Sequence, residues 1–394
     1  MSTFTQVREI VLMNLRSIPQ RAGASTVIVV GIAGVVAVLV AMLSMSSGLN
    51  KTLSATGSLD RAVVLRGGSN GELSSFFDRA STTLIRQDPS IARNKDGMPI
   101  ASRELIVITE GPRKGQKNGT NVTLRGVEPM GFTLREELRI VEGRRPRPGI
   151  REIAVGKSAQ KQFDGLELGA RLQFRGSEWF IVGVFSTNGD AHESELWADA
   201  EAVQSAFQRT GYSSVLAQLT SRDAFDSMKA RLKADPTITV DVEREQDYFS
   251  KQSRQLTFLI GWLAGIITVI MGFGALFGAL NTMYSAVSAR TAEIGTLRAL
   301  GFGALPVVAS VMAEALILSS AGGLLGASVA YLLFNGYSVS TLGSNFTQVA
   351  FDFAVTPSLV AKGLISAMSI GFLGGLLPAL RAARLPVTAA LRGA

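Results

Sequence analysis

The sequence predicts an α-helical membrane protein with four transmembrane helices and one large extracytoplasmic α+β domain. Of its 394 residues, 47% are hydrophobic, and the apolar residues are concentrated in four runs. A bilayer-spanning helix needs about 20 consecutive, predominantly apolar residues, and each run meets that length. Residues 50–250 separate the first run from the second and show strand and helix patterns in turn. The four runs and this insertion together predict the fold class.

The composition excludes several kinds of site. The chain contains no cysteine and one histidine, His192. It therefore has no disulfide, no thiolate metal site and no cysteine nucleophile, and it cannot form a histidine-rich metal site. A formal net charge of +8 is compatible with a nucleic acid or with a membrane surface as partner, and the positions of the charges decide between them.

The apolar runs predict transmembrane helices over residues 24–49, 251–284, 305–335 and 358–381. The first run is too long for the apolar part of a signal peptide, lacks an A-x-A-like cleavage site and is followed by further spans. We therefore interpret it as a helix that stays in the membrane.

Residues 1–23 predict an amphipathic helix that lies on the inner membrane surface and leads into the first span. Apolar residues recur in it at helical spacing. They are Phe4, Val7, Val11, Leu15 and Ile18. Packing of this helix against the transmembrane helices is the alternative.

Basic residues in the short segments predict the topology, because cytoplasmic segments are enriched in Lys and Arg. The arginines of these segments are Arg8, Arg16, Arg21, Arg290, Arg298, Arg381, Arg384 and Arg392, whereas the short loop 336–357 has no Lys or Arg. We expect both termini, including the tail 382–394, and residues 285–304 in the cytoplasm, with the insertion outside. The basic flanks would meet anionic lipid, so we expect no nucleic-acid partner.

The predicted spans carry glycines four residues apart. The pairs are Gly261 and Gly265, Gly274 and Gly278, Gly322 and Gly326, and Gly371 and Gly375. Small residues at this spacing allow helices to approach closely in lipid. We expect them to pack helices within one subunit, and packing across a dimer interface is the alternative.

The intramembrane polar candidates are Glu314, the one acid well inside a predicted span, and Asn281. An ionisable residue in a membrane is costly and is a functional candidate. We expect Glu314 to pair with Arg298 or with a polar group near Asn281, and a role in proton or substrate movement is the alternative.

The insertion predicts an α+β subdomain, residues 50–115 and 205–250, interrupted by a β-rich block, residues 116–204. Strand–helix–strand patterns flank the block, with helices predicted over Ser74–Pro89 and, capped by Ser221, over Ser221–Pro236. In the block, an alternating run turns at Arg175-Gly176-Ser177 and predicts a hairpin.

His192 lies beside Asp190, Glu193 and Glu195 in "NGDAHESELW". One histidine with three acids is a weak metal-binding pattern, and a solvated acidic loop is the preferred interpretation. The sequence has no G-x-x-x-x-G-K-[ST], Ser-x-x-Lys or G-x-S-x-G motif. We therefore predict no catalytic, cofactor-binding or metal-binding residues, and a chain that is not an enzyme.

The segment "ARTAEIGTLRALGFG", Ala289–Gly303, places charges among aliphatic residues between the second and third spans. A short helix there would present Ile294, Leu297 and Leu300 to a groove in a partner. Flanking charges, from Arg290, Glu293 and Arg298, would orient it. A loop helix that lies on lipid or closes the bundle is the alternative.

This segment resembles the cytoplasmic loop of the MacB-like and FtsX-like ABC permeases of the type VII ABC superfamily, which reads R-x-x-E-I-G-x-L-R-A-L-G. The match runs from Arg290 to Gly301. Other similar segments, in chain order, are "NLRSIPQRA" (Asn14–Ala22), "LRGVEPMGF", "EWFIVGVF", "MAEALILSSAGGLLG" (Met312–Gly326) and "PALRAARLPVTAALR" (Pro378–Arg392).

The resemblance implies a permease subunit in the bacterial inner membrane, with a periplasmic domain of a porter-like lobe and a β-rich lobe. It implies an ATPase-coupling interface formed by Arg290, Glu293, Ile294, Leu297, Arg298, Leu300 and Gly301. Since about twenty residues precede the first span, it also implies a separate ATPase subunit that holds ATP and magnesium. The further implied partners are a second permease copy, a periplasmic adaptor and an outer-membrane protein.

The resemblance leaves three functions open. The first is export driven by conformational change of the periplasmic domain, which the large insertion favours. The second is FtsX-like signalling across the membrane to a cell-wall hydrolase. The third is release of lipoproteins from the inner membrane.

Overall fold

The computed structural model describes residues 6–11, 13, 22–115, 119–342 and 348–384. The helices are α1 (Ala22–Ala55), α2 (Arg79–Arg86), α3 (Pro129–Leu134), α4 (Lys157–Gln162), α5 (Ala200–Phe207), α6 (Ala224–Ala234), α7 (Glu245–Ala289), α8 (Thr291–Ala299), α9 (Ala304–Phe334) and α10 (Pro357–Arg384). The strands are β1 (Arg61–Arg66), β2 (Ala101–Pro112), β3 (Gly119–Val127), β4 (Arg139–Gly143), β5 (Glu152–Gly156), β6 (Arg171–Phe174), β7 (Ser177–Ser186), β8 (Leu196–Asp199), β9 (Ser214–Gln218), β10 (Val240–Arg244), β11 (Ser338–Leu342) and β12 (Gln348–Asp352).

Four helices in the described part of the chain, α1, α7, α9 and α10, are long and apolar enough to cross a membrane. With the α/β domain between α1 and α7, they confirm the predicted fold class. Helix α7 has 45 residues, which corresponds to about 68 Å, more than twice the thickness of a hydrocarbon core. It begins before the predicted span, at Glu245, because residues 245–250 continue the helix ahead of the apolar run.

The chain divides into two compact units. The membrane unit contains Met1–Ser47, Phe258–Tyr337 and Phe353–Ala394, and the outer unit contains Gly48–Thr257 and Ser338–Asp352. The core of the membrane unit is aliphatic and small, with buried residues that include Ile32, Val36, Val311, Ala315 and Ala367.

Glycines of α9 and α10 permit close helix contacts in the membrane unit. A Cβ atom at Gly322 would lie 2.8 Å from the carbonyl oxygen of Val29 on α1. One at Gly375 would lie 2.6 Å from the Cβ atom of Ala315 on α9. Real Cβ contacts are longer than this, so these positions need glycine if the helices are to stay this close.

Gly326 and Gly371 are in the same situation. Gly326 lies against the carbonyl oxygen of Ala33, and Gly371 lies against the hydroxyl of Ser319. The glycines predicted on α7 differ, because a Cβ atom at Gly261, Gly265, Gly274 or Gly278 would meet no described atom within 4 Å. Their packing against a second copy remains a prediction.

The outer unit contains a ten-stranded sheet in the order β10-β1-β9-β2-β3-β8-β5-β7-β4, with β6 paired to β7. The β2–β3 hairpin runs from Glu104↔Val127 to Pro112↔Gly119. It joins the predicted porter-like segment 50–115 to the β-rich block 116–204, so one sheet passes through both lobes. Most pairs are antiparallel, and β3–β8 and β5–β7 are parallel.

The local predictions for the outer unit are partly right. The predicted hairpin is β6–β7, closed by Arg175 (φ 47°) and Gly176 (φ 75°) in the left-handed conformation that such turns favour. The first predicted helix starts at Arg79 instead of Ser74, because Asp78 caps it by accepting a hydrogen bond from Ser81 N over 2.7 Å. The predicted Ser221 cap is wrong, since α6 begins at Ala224 after Asp223.

The predicted loop 336–357 contains the β11–β12 hairpin, which belongs to the outer unit. Ala350 N donates a hydrogen bond to Ser194 Oγ over 2.9 Å. Each strand has only five residues, and contacts with the outer unit supply stability that the sequence pattern does not show.

The helical residues 6–11 and 13 fall within the predicted amphipathic helix 1–23. Ile10, which is outside the predicted stripe, is buried, whereas Val7 and Val11 are half-buried. Phe4, Leu15, Ile18 and most of "NLRSIPQRA" lie outside the described residues. So do residues 385–394, which hold most of the predicted tail.

We predict that Gly326→Leu destabilises the membrane unit by at least about 1–3 kcal/mol, because the new side chain would overlap the backbone of α1. The measurement is the thermal unfolding midpoint of the full chain in detergent. Gly31→Leu on α1 is the matched control, since the same side chain has open space there. Equal losses in the two variants would contradict the assigned packing.

Candidate functional site

The candidate coupling segment, residues 289–303, contains the short helix α8 between two defined breaks. Arg290 leaves the helical conformation after α7, with φ −107° and ψ 10°. Helix α8 then has nine residues, which is about two and a half turns. The predicted short helix is therefore present.

Gly301 ends α8 in a Schellman motif. Its φ of 94° lies in a region that favours glycine. Gly301 N donates to the carbonyl of Arg298, and Phe302 N donates to the carbonyl of Leu297, both over 3.1 Å. Gly301, predicted as an interface residue, thus has a backbone role that shapes the turn into α9.

Ile294 faces the interior of the membrane unit, which corrects the prediction that it faces a partner. Its side chain is 8% exposed and belongs to the same apolar core as Met283, Val287, Val307 and Val311. The reason is helical spacing, since residues 290, 294 and 297 fall on one side of the helix. For this residue, burial supports the alternative in which the segment closes the bundle.

Another surface of the segment, which includes Leu300 and Glu293, is exposed to solvent. Leu300 is 72% exposed, and the side chain of Glu293 is 60% exposed. Leu297 and Arg298 are half-buried, and Arg298 Nη1 donates to the carbonyl of Ala383 on α10 over 2.9 Å. Leu300 and Glu293 are the predicted interface side chains most available to another protein.

Glu314 pairs with Arg290, a partner that the sequence did not predict. Arg290 Nη1 lies 3.3 Å from Glu314 Oε2, and both residues are buried. Arg290 Nε also lies 3.6 Å from a carboxylate oxygen of Glu293. Asn281 is exposed on α7. The buried acid of α9 therefore holds the residue that starts the coupling segment.

A recess lies beside α8 within the membrane unit. Its lining includes Met283, Val287, Leu297, Arg290 and Glu314, together with Ile10 and Met13 from the N-terminal helical residues. The N-terminal segment thus packs next to the coupling segment. This arrangement supports the alternative in which the first helix packs on the transmembrane helices.

The His192 cluster is buried, which corrects the prediction of a solvated acidic loop. His192, Asp190, Glu193 and Glu195 are all less than 9% exposed. His192 Nδ1 lies 3.3 Å from Glu195 Oε2, and Trp197 Nε1 donates to the same oxygen over 2.8 Å. No group of three or more potential ligands with metal-binding geometry occurs among the described residues. The cluster is an ion-pair network of the outer unit.

The pKa values in this cluster follow from burial and neighbouring charge. Burial alone would lower the pKa of His192, but Glu195 and other carboxylates outweigh it and raise the pKa to about 9. Burial raises the pKa of Asp190 to about 6. For Glu195, burial is outweighed by the charges of Arg125 and His192, which hold its pKa well below the usual range.

We predict that the free energy of unfolding of the outer unit falls as the pH rises from about 6.5 to about 9. His192 is protonated in the folded state below its raised pKa of about 9, and an unfolded histidine titrates near 6.5. The stabilisation is complete below pH 6.5 and is lost by pH 9, with a size of about 3 kcal/mol at most.

The measurement is denaturant unfolding of the full chain in detergent at several pH values, followed by the fluorescence of the buried Trp179 and Trp197. His192→Gln should flatten the dependence, since this is the single histidine and the chain has no cysteine. A variant that keeps the wild-type slope would show that another group causes it.

Comparison with known proteins identifies relatives for almost the whole chain. The family described as "MacB-like periplasmic core domain" matches residues 25–235, and the "FtsX-like permease C-terminal" family matches residues 265–387. The uncharacterized ABC transporter permease YknZ of Bacillus subtilis (strain 168) is 25% identical over 93% of this chain and 93% of its own length.

The macrolide export ATP-binding/permease protein MacB of Shewanella sp. (strain ANA-3) is 26% identical over 93% of this chain. This chain spans 57% of the length of that relative. Among solved structures, the periplasmic region of MacB from Actinobacillus actinomycetemcomitans aligns with 49% of this chain and 91% of its own, with 14% identity and a TM-score of 0.36.

Proposed function

Since this chain belongs to the MacB-like and FtsX-like ABC permease family, we propose that it couples ATP hydrolysis by a separate ATPase subunit to conformational change of its outer unit, and thereby drives export. In this proposal the chain itself is not catalytic. ATP and magnesium bind to the partner ATPase.

One comparison supports a separate ATPase. YknZ of Bacillus subtilis is named as an ABC transporter permease, and this chain matches 93% of its length. In the proposal, permease and ATPase functions are divided in the same way between two polypeptides.

The observation that carries the proposal is the open surface of the coupling segment. Arginines in the short segments support a cytoplasmic location for α8. An exposed leucine and an exposed glutamate on one short helical segment suit a helix-in-groove contact with a soluble partner. We propose Leu300 and Glu293 as the primary contacts, with Leu297 and Arg298 at the edge.

The further proposed partners follow from the family and from α7. A second permease copy would cover the glycine face of α7, formed by Gly261, Gly265, Gly274 and Gly278. A periplasmic adaptor and an outer-membrane protein would complete an export path. The match of the MacB-like periplasmic family to residues 25–235 is consistent with this export path.

We predict that Leu300→Asp weakens ATPase binding at least about tenfold and removes the stimulation of ATP hydrolysis by the permease. The reason is that an aliphatic side chain buried in the proposed interface with the ATPase would be replaced by a charged one. The measurement is the ATPase rate of the copurified complex in nanodiscs. The variant should keep the wild-type thermal midpoint, since Leu300 is already exposed.

Leu168→Asp, an equivalent change at an exposed leucine of the outer unit, is the control and should leave the stimulation unchanged. Normal stimulation by Leu300→Asp would rule out this face as the contact. Copurification with a cell-wall hydrolase in place of an adaptor would favour the signalling function.

A further inference from the structure

Arg125 is the centre of a buried ionic network in the outer unit. It lies on β3, is 2% exposed, and uses all five N–H groups on carboxylates. Two bonds of 2.7 and 2.9 Å go to Glu195. Two bonds of 2.9 and 3.0 Å go to Glu72, and one of 2.7 Å goes to Glu104. Three separate parts of the chain thus meet at one guanidinium.

A second series of contacts leads from Glu104 to the start of α7. Glu104 accepts hydrogen bonds of 2.7 and 3.1 Å from Arg135. Arg135 Nε lies 3.4 Å from Glu245 Oε1, and Arg61 Nε donates to Glu245 Oε2 over 2.5 Å. We call Arg61, Glu104, Arg125, Arg135 and Glu245 the joint cluster. Each of its members is nearly inaccessible to solvent.

The joint cluster also holds the chain immediately after α1. Ser58 N donates to Glu245 Oε2 over 3.1 Å. Gly57, with φ 84°, lies so close that a Cβ atom there would be 2.6 Å from Glu245 Cγ. The buried hydroxyl of Thr56 accepts a hydrogen bond from Ala191 N over 3.0 Å, next to His192. The end of one long helix and the start of another therefore meet at a single glutamate.

These contacts determine position more than they add stability. Replacing a buried ion pair by apolar residues of the same size is often neutral or stabilising, while removal of one partner leaves an uncompensated charge. In the joint cluster Arg125 donates five hydrogen bonds and Glu104 accepts three, so few alternative pairings are open to these groups. Such a network keeps its parts in fixed register when one of them is displaced.

We propose that the joint cluster is the rigid connection through which displacement of α1 and α7 reaches the sheet, with Glu245 as the positioning residue that both helix ends share. This proposal rests on the proposed function, because it requires that ATP binding displaces the helices. It adds which side chains carry the displacement into the outer unit.

The test uses the natural absence of cysteine. Cysteines introduced for Ala230 on α6 and Leu332 on α9, both exposed, carry spin labels on the outer and membrane units. The labelled chain is diluted into unlabelled chain and reconstituted with the copurifying ATPase. Distances between the labels are measured with ATP and without nucleotide, and the ATPase rate is measured on the same samples.

We expect a nucleotide-dependent change of distance in the labelled chain. Glu245→Gln should reduce that change at least threefold and keep the ATPase rate within twofold, since the ATPase contact lies in the other unit. Glu178→Gln, which breaks the exposed pair with Arg171, is the matched control and should behave as the unsubstituted chain.

The failures of the two proposals differ. No distance change in the unsubstituted chain would overturn the proposed function. A full change in folded Glu245→Gln would overturn the joint alone, as would a lowered thermal midpoint with an unaltered distance change.

If Glu245→Gln does not fold, Thr56→Val and Glu137→Gln replace it, since each removes one contact at the border of the cluster. A full distance change in both of these would equally overturn the joint.

Discussion

A buried charge requires an opposite charge at hydrogen-bonding distance, and this requirement fixes the centre of the outer unit. Transfer of an ion from water into a protein interior costs several kcal/mol, and the cost is offset only when the partner geometry is good. Arg125 is paired with carboxylates from three different segments, and Arg61 and Arg135 are both paired with Glu245. Sheet, turn and helix start must therefore assemble together, because any one of them alone would leave a buried ion unpaired.

The sequence predicts those parts of the fold whose signal is local. Four apolar runs are sufficient to predict the transmembrane helices, because the length and the composition of a span are properties of one segment. The β6–β7 hairpin is likewise visible in an alternating run with a glycine turn. The β11–β12 hairpin was missed because its stability comes from contacts with distant residues such as Ser194.

Buried ion pairs between distant residues leave little trace in a single sequence. Arg61 and Glu245 are 184 residues apart, and neither stands in a pattern that distinguishes it from a surface charge. The same limitation explains the wrong expectation for His192, whose acidic neighbours suggested a solvated loop. The partners of these charges, Arg125 among them, lie in distant segments and could not be inferred from the sequence.

The candidate coupling segment shows how far helical spacing alone can lead. Spacing correctly predicted a short helix with aliphatic residues on it, yet it could not assign those residues to the bundle or to a partner. The structure divides them, since Ile294 is buried and Leu300 is exposed. The assignment depends on the direction in which α8 leaves α7, and the break at Arg290 sets that direction by pairing with Glu314.

The two ends of α7 obey one electrostatic rule. Its first residue, Glu245, is a buried acid held by Arg61, and the residue after its last, Arg290, is a buried base held by Glu314. A helix carries partial positive charge at its N-terminus and partial negative charge at its C-terminus, so an acid at the start and a base at the end are both favourable. Each end is therefore fixed by the helix dipole and by an ion pair from another element. A helix secured in this way at both ends resists unwinding there, and this is what the proposed coupling function would require of α7.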